Sequence, residues 1–301
     1  MKRIGIVLLA AFFAFSQFVV PSAASANDRD RVVRFLNIDV PGAQDTRANG
    51  VNNWGVIVGL YDDQAGTTHG FVLLLGKFVA IDYPGSVYTN ALAINDKGWV
   101  VGRFDSADGV KHGYVLKNGE FTQIDFPGST STVARGINNA GEITGFYTDA
   151  DSHAHTFVLS ENQFVTLDYP GTLGPDGLTE STGINNEGDV VGYWSADGIS
   201  AAGFLYQKGE FTPQSFPGVS TSGTRGLNDR GQFIGLYTDN SGTDHGFLLN
   251  KGVYTSFDFP HSTYTDGYAI NNIGIVVGEY GDSDGNAHGF VALALTDGHE
   301  R

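Results

Sequence analysis

The chain has 301 residues, of which 33 are acidic and 17 are basic, and its formal net charge at pH 7 is −16. A charge of this sign repels nucleic acid and anionic lipid surfaces, so we expect neither as a partner. The chain has no cysteine, so the fold must be stabilised by burial without disulfides.

The N-terminus has the pattern of a secretory signal peptide. A basic start, Met1-Lys2-Arg3, is followed by an apolar run that reaches Val20 and by the small residues Ala24-Ser25-Ala26. A retained membrane anchor is the alternative, because the apolar run is long, but Pro21 would break such a helix. We therefore expect residues 1–26 to be removed and the mature protein to be secreted or periplasmic, with no later segment inserted in a membrane.

The rest of the chain consists of six copies of one repeat. The segment Ile81-Asp82-Tyr83-Pro84-Gly85 returns in closely similar form at residues 124–128 and 167–171. An aromatic residue opens each copy, at positions 35, 78, 121, 164, 211 and 254. The period is therefore about 43 residues, and only the fourth copy carries an insertion. We expect residues 27–301 to form a single domain.

Each copy contains four segments with the composition of β-strands. In the first copy, residues 56–61 and 69–75 are apolar and rich in β-branched side chains, and the turn residues 62–66 separate them. A short segment, 46–52, precedes them, and residues 78–83 follow. No copy has the apolar spacing of a helix. Four antiparallel strands at this period predict the blade of a β-propeller.

The two ends of the chain complete one another. The last copy has only three strand-like segments, at residues 265–271, 275–280 and 289–295. Its missing fourth strand is available at residues 32–39. Pairing the two would close a ring and leave no exposed sheet edge. The sequence thus predicts an all-β fold, a six-bladed β-propeller closed by the N-terminal strand in the last blade.

The repeat also resembles a known family. Its unit, G-I-N-x-x-G-x-[IV]-[VT]-G-x-[YF] followed by a turn and H-G-F, resembles the bacterial extracellular repeat named HAF for its His-Ala-Phe signature. In this chain glycine usually takes the middle position, as in His69-Gly70-Phe71. The resemblance covers essentially all of the mature chain. It implies export and a propeller-like repeat architecture, and it implies no activity and no catalytic residues.

Two residue types recur in nearly every copy and are expected to be structural. Asparagine pairs such as Asn52-Asn53 precede a glycine and suit a tight turn. Five equivalent histidines are expected to hydrogen-bond to an aspartate within their own blade, since third strands lie too far from the axis for a shared metal. They are His69, His112, His155, His245 and His288. Only the third copy has a second imidazole nearby, His153, and two ligands alone make a poor metal site.

One acidic turn has the beginning of a calcium-binding loop. Asp282, Asp284 and Asn286 follow the D-x-D-G-N pattern of oxygen ligands, but no bidentate glutamate follows at the required distance. A solvated turn is the favoured interpretation and a calcium site the alternative. We expect no other cofactor.

A ligand site is best sought where equivalent positions differ, because structure accounts for the shared residues. Such positions lie on or just before the innermost strand, near the mouth of the channel. His261, Tyr88 and Tyr264 are expected in the loops that lead from one blade to the next. The ligand-binding candidates are Arg47, Arg135, Arg225, Tyr268, Tyr88 and Tyr264, and the acid–base candidates are Glu180, Asp266 and His261. Three arginines at one channel suit a carboxylate or a sugar acid. The alternative is that they pair with local acids and fill the channel.

The sequence leaves the function open between binding and catalysis. No phosphate loop, metalloprotease motif or nucleophile elbow is present. The first hypothesis is a monomeric binding or scaffold protein for a glycan, a small molecule or a protein. The second is a hydrolase or lyase that acts on a sugar acid, lactone or ester, with Glu180, Asp266 or His261 as acid or base. A lectin with six equal sites is disfavoured, because the copies differ at these positions.

Overall fold

The structure is a computed structural model that describes residues 20–21, 34–172 and 177–293. All regular structure in these ranges is β-strand, and none of it forms a helix that could cross a membrane. The predicted signal peptide, residues 1–26, lies outside the described residues except for β1 (Val20–Pro21), which pairs with the strand that follows it. Most of the insertion in the fourth copy, residues 173–176, also lies outside them.

The remaining strands group into six blades of four. Blade I contains β3 (Asp45–Val51), β4 (Ile57–Asp62), β5 (Thr68–Leu74) and β6 (Lys77–Ile81). Blade II contains β7 (Tyr88–Ile94), β8 (Val100–Asp105), β9 (Lys111–Lys117) and β10 (Glu120–Ile124). Blade III contains β11 (Ser131–Ile137), β12 (Ile143–Thr148), β13 (Ala154–Ser160) and β14 (Gln163–Thr166).

The second half of the ring repeats this order. Blade IV contains β15 (Leu178–Ile184), β16 (Val190–Ser195), β17 (Ala202–Gln207) and β18 (Glu210–Gln214). Blade V contains β19 (Thr221–Leu227), β20 (Gln232–Thr238), β21 (Asp244–Asn250) and β22 (Val253–Phe257). Blade VI contains β23 (Tyr264–Ile270), β24 (Ile275–Gly281) and β25 (Ala287–Leu293), with β2 (Arg34–Ile38) as its fourth strand. The predicted six-bladed β-propeller is confirmed.

A glycine in each second strand lets the two inner strands of a blade approach closely. A Cβ added to Gly59 would lie 1.9 Å from the carbonyl oxygen of Arg47, and one added to Gly102 would lie 1.9 Å from that of Asn90. Any side chain there would collide with the first strand. These glycines lie beside the first strands, and the first strands of neighbouring blades contact one another around the central channel.

The last blade is completed by the N-terminal strand, as the sequence predicts. β2 pairs antiparallel with β25, from Arg34 opposite Leu293 to Ile38 opposite Gly289. Phe35 is buried, with its ring centroid 5.3 Å from that of Phe259 in the same blade. Residues 32 and 33 of the predicted closing strand lie outside the described residues.

The repeated asparagines form turns and also bind each blade to the next. The Oδ1 atom of Asn52 accepts hydrogen bonds from the backbone N–H groups of Trp54 and Val56, which confirms the turn role. Its Nδ2 donates to the carbonyl oxygen of Asn95 in blade II, at 3.1 Å. Asn271 in blade VI donates in the same way to the carbonyl oxygen of Asn52, at 2.9 Å. The second role joins residues 43 or more positions apart and was not predicted.

The residues that follow these asparagines complete a closed circle. In each blade a backbone N–H donates to the Oδ1 atom of the equivalent side chain in the next blade, at 2.8–2.9 Å. The six members are Asn53, Asp96, Asn139, Asn186, Asp229 and Asn272. We call this set the asparagine circle. Since its last bond returns from Asn272 to Asn53, the six blades form one closed ring.

Aromatic rings pack every blade, and histidine–aspartate contacts support five of the six. In blade II, Tyr83 stacks on Phe104 with ring centroids 3.6 Å apart. In blade I, His69 Nδ1 lies 2.9 Å from Asp82 and its Nε2 lies 3.4 Å from Asp63. The predicted hydrogen bond to an aspartate is confirmed for all five histidines, and blade IV has Ala202 at the equivalent position.

Candidate functional site

Two groups of charged side chains surround the channel on the inner strands, and the first is formed by blades I and VI. Arg47 in β3 reaches across to Glu279 in β24, with Nε 2.9 Å from Oε2. The Tyr264 hydroxyl donates to the other oxygen of Glu279 at 3.4 Å. Asp266 lies directly opposite Glu279 in the antiparallel pair. Blade VI thus holds two carboxylates side by side, and blade I supplies the arginine.

The crowding of carboxylates changes their acidity. Burial, and then the charge of Glu279, raise the pKa of Asp266 to about 7. Burial also raises the pKa of Glu279, and the positive charge of Arg47 opposes that change only in part. Both side chains are less than a tenth exposed. Asp266 can therefore take up and release a proton near neutral pH.

The second group is formed by blades III, IV and V. Arg135 in β11 lies 4.0 Å from Glu180 in β15, and the Tyr193 hydroxyl in β16 donates a short hydrogen bond to the same carboxylate. Burial, and then the charge of Glu180, raise the pKa of Tyr193 to about 12. Arg225 in β19 stacks over the Tyr193 ring, 5.1 Å from its centroid.

Arg225 connects the two groups. Burial acts to lower its pKa, yet that pKa is raised because Tyr193, Tyr268 and Asp266 surround the guanidinium. The channel therefore has one electrostatic network that runs from blade III round to blade I. The predicted set of arginines, Glu180, Asp266, Tyr264 and Tyr268 is brought together in it.

Several polar atoms of this network are buried without a hydrogen-bond partner among the described residues. They are the Nε atoms of Arg47, Arg135 and Arg225, with Asp266 Oδ1 and Glu279 Oε2. Arg47 Nε and Glu279 Oε2 are close enough for an ion pair but are not aligned as a hydrogen bond. A buried polar group without a partner costs about 1–3 kcal/mol. Because Arg47 Nε and Glu279 Oε2 face one another as an ion pair, three atoms stay without a partner among the described residues: Arg135 Nε, Arg225 Nε and Asp266 Oδ1. Packing alone does not explain three such atoms in one network.

Tyr88 lies at the edge of this network and His261 lies apart from it. Burial acts to lower the pKa of Arg47, but Glu279 and three tyrosines, Tyr88 among them, raise it. Tyr88 is the first residue of β7 and packs against Arg103, whose guanidinium lies 4.4 Å from the ring centroid. His261 is exposed in the loop before β23. It adopts φ 66°, where the other blades have glycine, and so occupies a turn position. The prediction that Tyr88 and Tyr264 lie in loops was wrong, because both open inner strands.

Glu279 and Tyr193 belong to the network but were not predicted from the sequence. Both follow the glycine of the second strand, the position that faces residue 47 or its equivalent across the strand pair. The six residues at that position are Leu60, Arg103, Phe146, Tyr193, Leu236 and Glu279. These six residues differ within an otherwise uniform motif. Variation between copies identified the candidates on the first strand, and it could have identified Glu279 and Tyr193 on the second strand as well.

The proposed calcium loop has the same geometry as the other acidic turns. Asp282 Oδ1 accepts hydrogen bonds from the backbone N–H groups of Asp284 and Asn286, at 2.8 and 2.9 Å. Its Oδ2 lies 3.1 Å from His288 Nε2. Asp63 and Asp239 act in the same way in blades I and V. The calcium site stays a prediction.

No protein-family model matches the chain, and no curated protein matches it. Solved β-propellers are similar in structure. The SapL1 lectin in complex with alpha methyl fucoside is 10% identical, with a TM-score of 0.55 over 86% of this chain and 98% of that one. The Aleuria aurantia lectin in complex with Fucalpha1-6GlcNAc is 11% identical, with a TM-score of 0.53 over 82% of this chain and 91% of that one.

TolB from Acinetobacter baumannii is 12% identical, with a TM-score of 0.54 over 84% of this chain. This chain covers 65% of that protein's length. At such identities the likenesses show the β-propeller fold alone. The resemblance to the HAF repeat family stays a prediction.

Proposed function

We propose that the protein is an exported binding protein for a small polar ligand, of the size of a sugar or a sugar acid, held by the network around its channel. The observation that carries the proposal is the set of buried atoms without a partner on Arg135, Arg225 and Asp266, beside the ion pair of Arg47 with Glu279. A ligand with a carboxylate and several hydroxyls would supply acceptors to the guanidinium groups and donors to the carboxylates. It would repay the cost of leaving these atoms unpaired.

The surrounding side chains fit such a ligand. Arg47 is 41% exposed and Arg135 is 27% exposed, so both can be reached from solvent. Tyr264 offers an aromatic face for the apolar side of a sugar ring, and both Tyr193 and Tyr264 already hydrogen-bond to the acids. Few polar groups at fixed positions on a rigid scaffold are typical of small-molecule sites.

The test is a calorimetric titration of the mature protein with glucuronate, galacturonate and glucose. We expect binding of a uronate, and we expect the double variant Arg135→Ala/Arg225→Ala to weaken it at least about tenfold. Arg230→Ala is the matched control, because Arg230 is exposed in the turn beside the asparagine circle. Equal affinity in the double variant and the wild type would place the ligand elsewhere.

One observation favours a second candidate, a hydrolase or lyase on a sugar acid, lactone or ester. The pKa of Asp266 is raised to about 7, and the neighbouring Glu279 is the cause after burial. A carboxyl group that is protonated near neutral pH beside a second carboxylate suits general acid catalysis. The exposed His261 has no comparable support.

The same titration mixtures distinguish the two candidates when they are followed by mass spectrometry. A binding protein leaves the uronate unchanged. Conversion of the ligand by the wild type, and its loss in Asp266→Asn, would replace the binding function with the catalytic one.

A further inference from the structure

We propose that the turn between β12 and β13 is a binding site for zinc or a similar transition-metal ion, formed by Asp149, His153 and His155. The site lies in the outer part of blade III and is separate from the channel. Each of the three residues offers one ligand atom, and these atoms lie within 4.8 Å of one another.

The separations of the ligand atoms fit tetrahedral coordination. Asp149 Oδ2 lies 3.4 Å from His153 Nδ1 and 3.3 Å from His155 Nε2. A tetrahedral zinc ion with bonds of about 2.0–2.1 Å holds its ligand atoms about 3.3 Å apart. Two of the three separations therefore already have the required length, and the third, between the two imidazole nitrogens, is at most 4.8 Å.

The surrounding contacts hold the ligands in the required orientation. Asp149 Oδ1 accepts hydrogen bonds from the backbone N–H groups of Asp151 and His153, which leaves Oδ2 facing the imidazoles. His155 Nδ1 lies 2.9 Å from Asp168 Oδ2, so Nε2 is the atom turned to the site. A carboxylate on the far nitrogen of a histidine is the usual support of a metal ligand.

The choice of metal follows from the ligands. Two imidazoles and one carboxylate favour zinc, copper or nickel over calcium and magnesium, which prefer oxygen ligands. The three side chains are 19–32% exposed, so an ion can enter and a water molecule can complete its coordination. The net charge of −16 attracts cations in general.

The other blades provide an internal comparison. Blade V has the same pair, with His245 Nε2 3.4 Å from Asp239 Oδ2, but Thr243 stands where blade III has His153. One residue therefore separates a two-ligand arrangement from a three-ligand one. His153 and His155 were not predicted as a metal site because two ligands are too few, and the contact of both with Asp149 becomes apparent only in the fold.

The experiment is a calorimetric titration of the mature protein, free of any histidine tag and treated with chelator, with zinc chloride. We expect one equivalent of zinc to bind the wild type, and His153→Thr to weaken binding at least about tenfold. The double variant His153→Thr/Thr243→His should regain one equivalent, now in blade V.

Three outcomes decide the proposal. Loss of binding in His153→Thr and its return in the double variant support it. Equal zinc affinity in the wild type and His153→Thr would overturn it, and so would failure of the wild type to bind zinc. His153 lies in a partly exposed turn, so we expect His153→Thr to fold normally. Thermal unfolding of each variant checks that a loss of binding is not a loss of fold.

Discussion

Asp266 shows most clearly how a single residue departs from what stability alone would select. It stands on an inner strand, opposite a second carboxylate, with one oxygen buried and unpaired. Equivalent positions in the other blades hold arginine, asparagine, valine, glutamate and glycine. Its pKa is raised to about 7, from 3.8, by burial and by Glu279. Strongly shifted pKa values of this kind are concentrated at functional sites.

Replacing Asp266 with asparagine should make the protein more stable at high pH. Because the pKa is higher in the folded than in the unfolded state, the protonated carboxyl stabilises the fold fully below about pH 4. That contribution is lost as the pH rises through about 7. A shift of this size corresponds to a free energy on the order of 4 kcal/mol. The free energy of unfolding of Asp266→Asn, relative to that of the wild type, should therefore increase as the pH rises from 4 to 8.

Urea denaturation at the two pH values measures this effect. Glu120→Gln is the control, since it removes one negative charge from an exposed position. If the difference in unfolding free energy between Asp266→Asn and the wild type does not grow with pH, the pKa of Asp266 is not raised in the folded state.

At the scale of strands and blades, the sequence predicted the strands of each blade and the number of blades, because each element is repeated. Turn residues and β-branched runs recur every 43 residues, so a weak local signal is observed several times. The completion of blade VI by β2 followed from counting strands. The contacts between blades did not follow, because the bond from Asn52 to Asn95 depends on how two blades pack and leaves no local pattern.

The candidate site was predicted in part for the same reason. Arg47, Arg135 and Arg225 were identified because their strand was compared across all copies. Glu279 was missed because it belongs to the second strand, and the pairing of that strand brings it beside Asp266. The residues were visible in the sequence, but the geometry that joins them was not.

The closing strand should be essential to the stability of blade VI. Phe35 is 2% exposed and packs against Phe259 and Phe290, with ring centroids 5.3 and 5.6 Å away. Phe35→Ala should lower the free energy of unfolding by about 3–5 kcal/mol, the usual cost of removing a buried aromatic ring. Arg34→Ala is the control, because Arg34 is the exposed neighbour on the same strand. Chemical denaturation that leaves the two variants equally stable would contradict the assigned closure.

At the scale of the whole molecule, the ring is held by interactions that pass from blade to blade and return to their start. Asn52 Nδ2 contributes one of them through its bond to Asn95, and Asn271 contributes the one that returns to blade I. The asparagine circle adds six bonds that close on themselves, so no blade has a free side. We therefore expect the six blades to unfold together.

Asn52→Asp separates the bond between blades from the turn. The carboxylate keeps the acceptor that the turn uses, but it loses the donor to Asn95 and places a negative charge against that carbonyl. Stability should fall by about 1–3 kcal/mol, and thermal unfolding should remain a single transition. Asn240→Asp, in an exposed turn, is the control. Two separate transitions in the Asn52→Asp variant would show that the blades are not coupled in this way.

The pairing of β2 with β25 also sets an order in time. The two strands lie about 250 positions apart, so β2 can pair with β25 only after nearly all of the described chain has been synthesised. Until then its edge stays open to other chains. Contacts between such distant segments make folding slow, and the unfinished ring is the state most prone to aggregate. We therefore expect the yield of folded protein to depend on how quickly β25 becomes available to pair with β2.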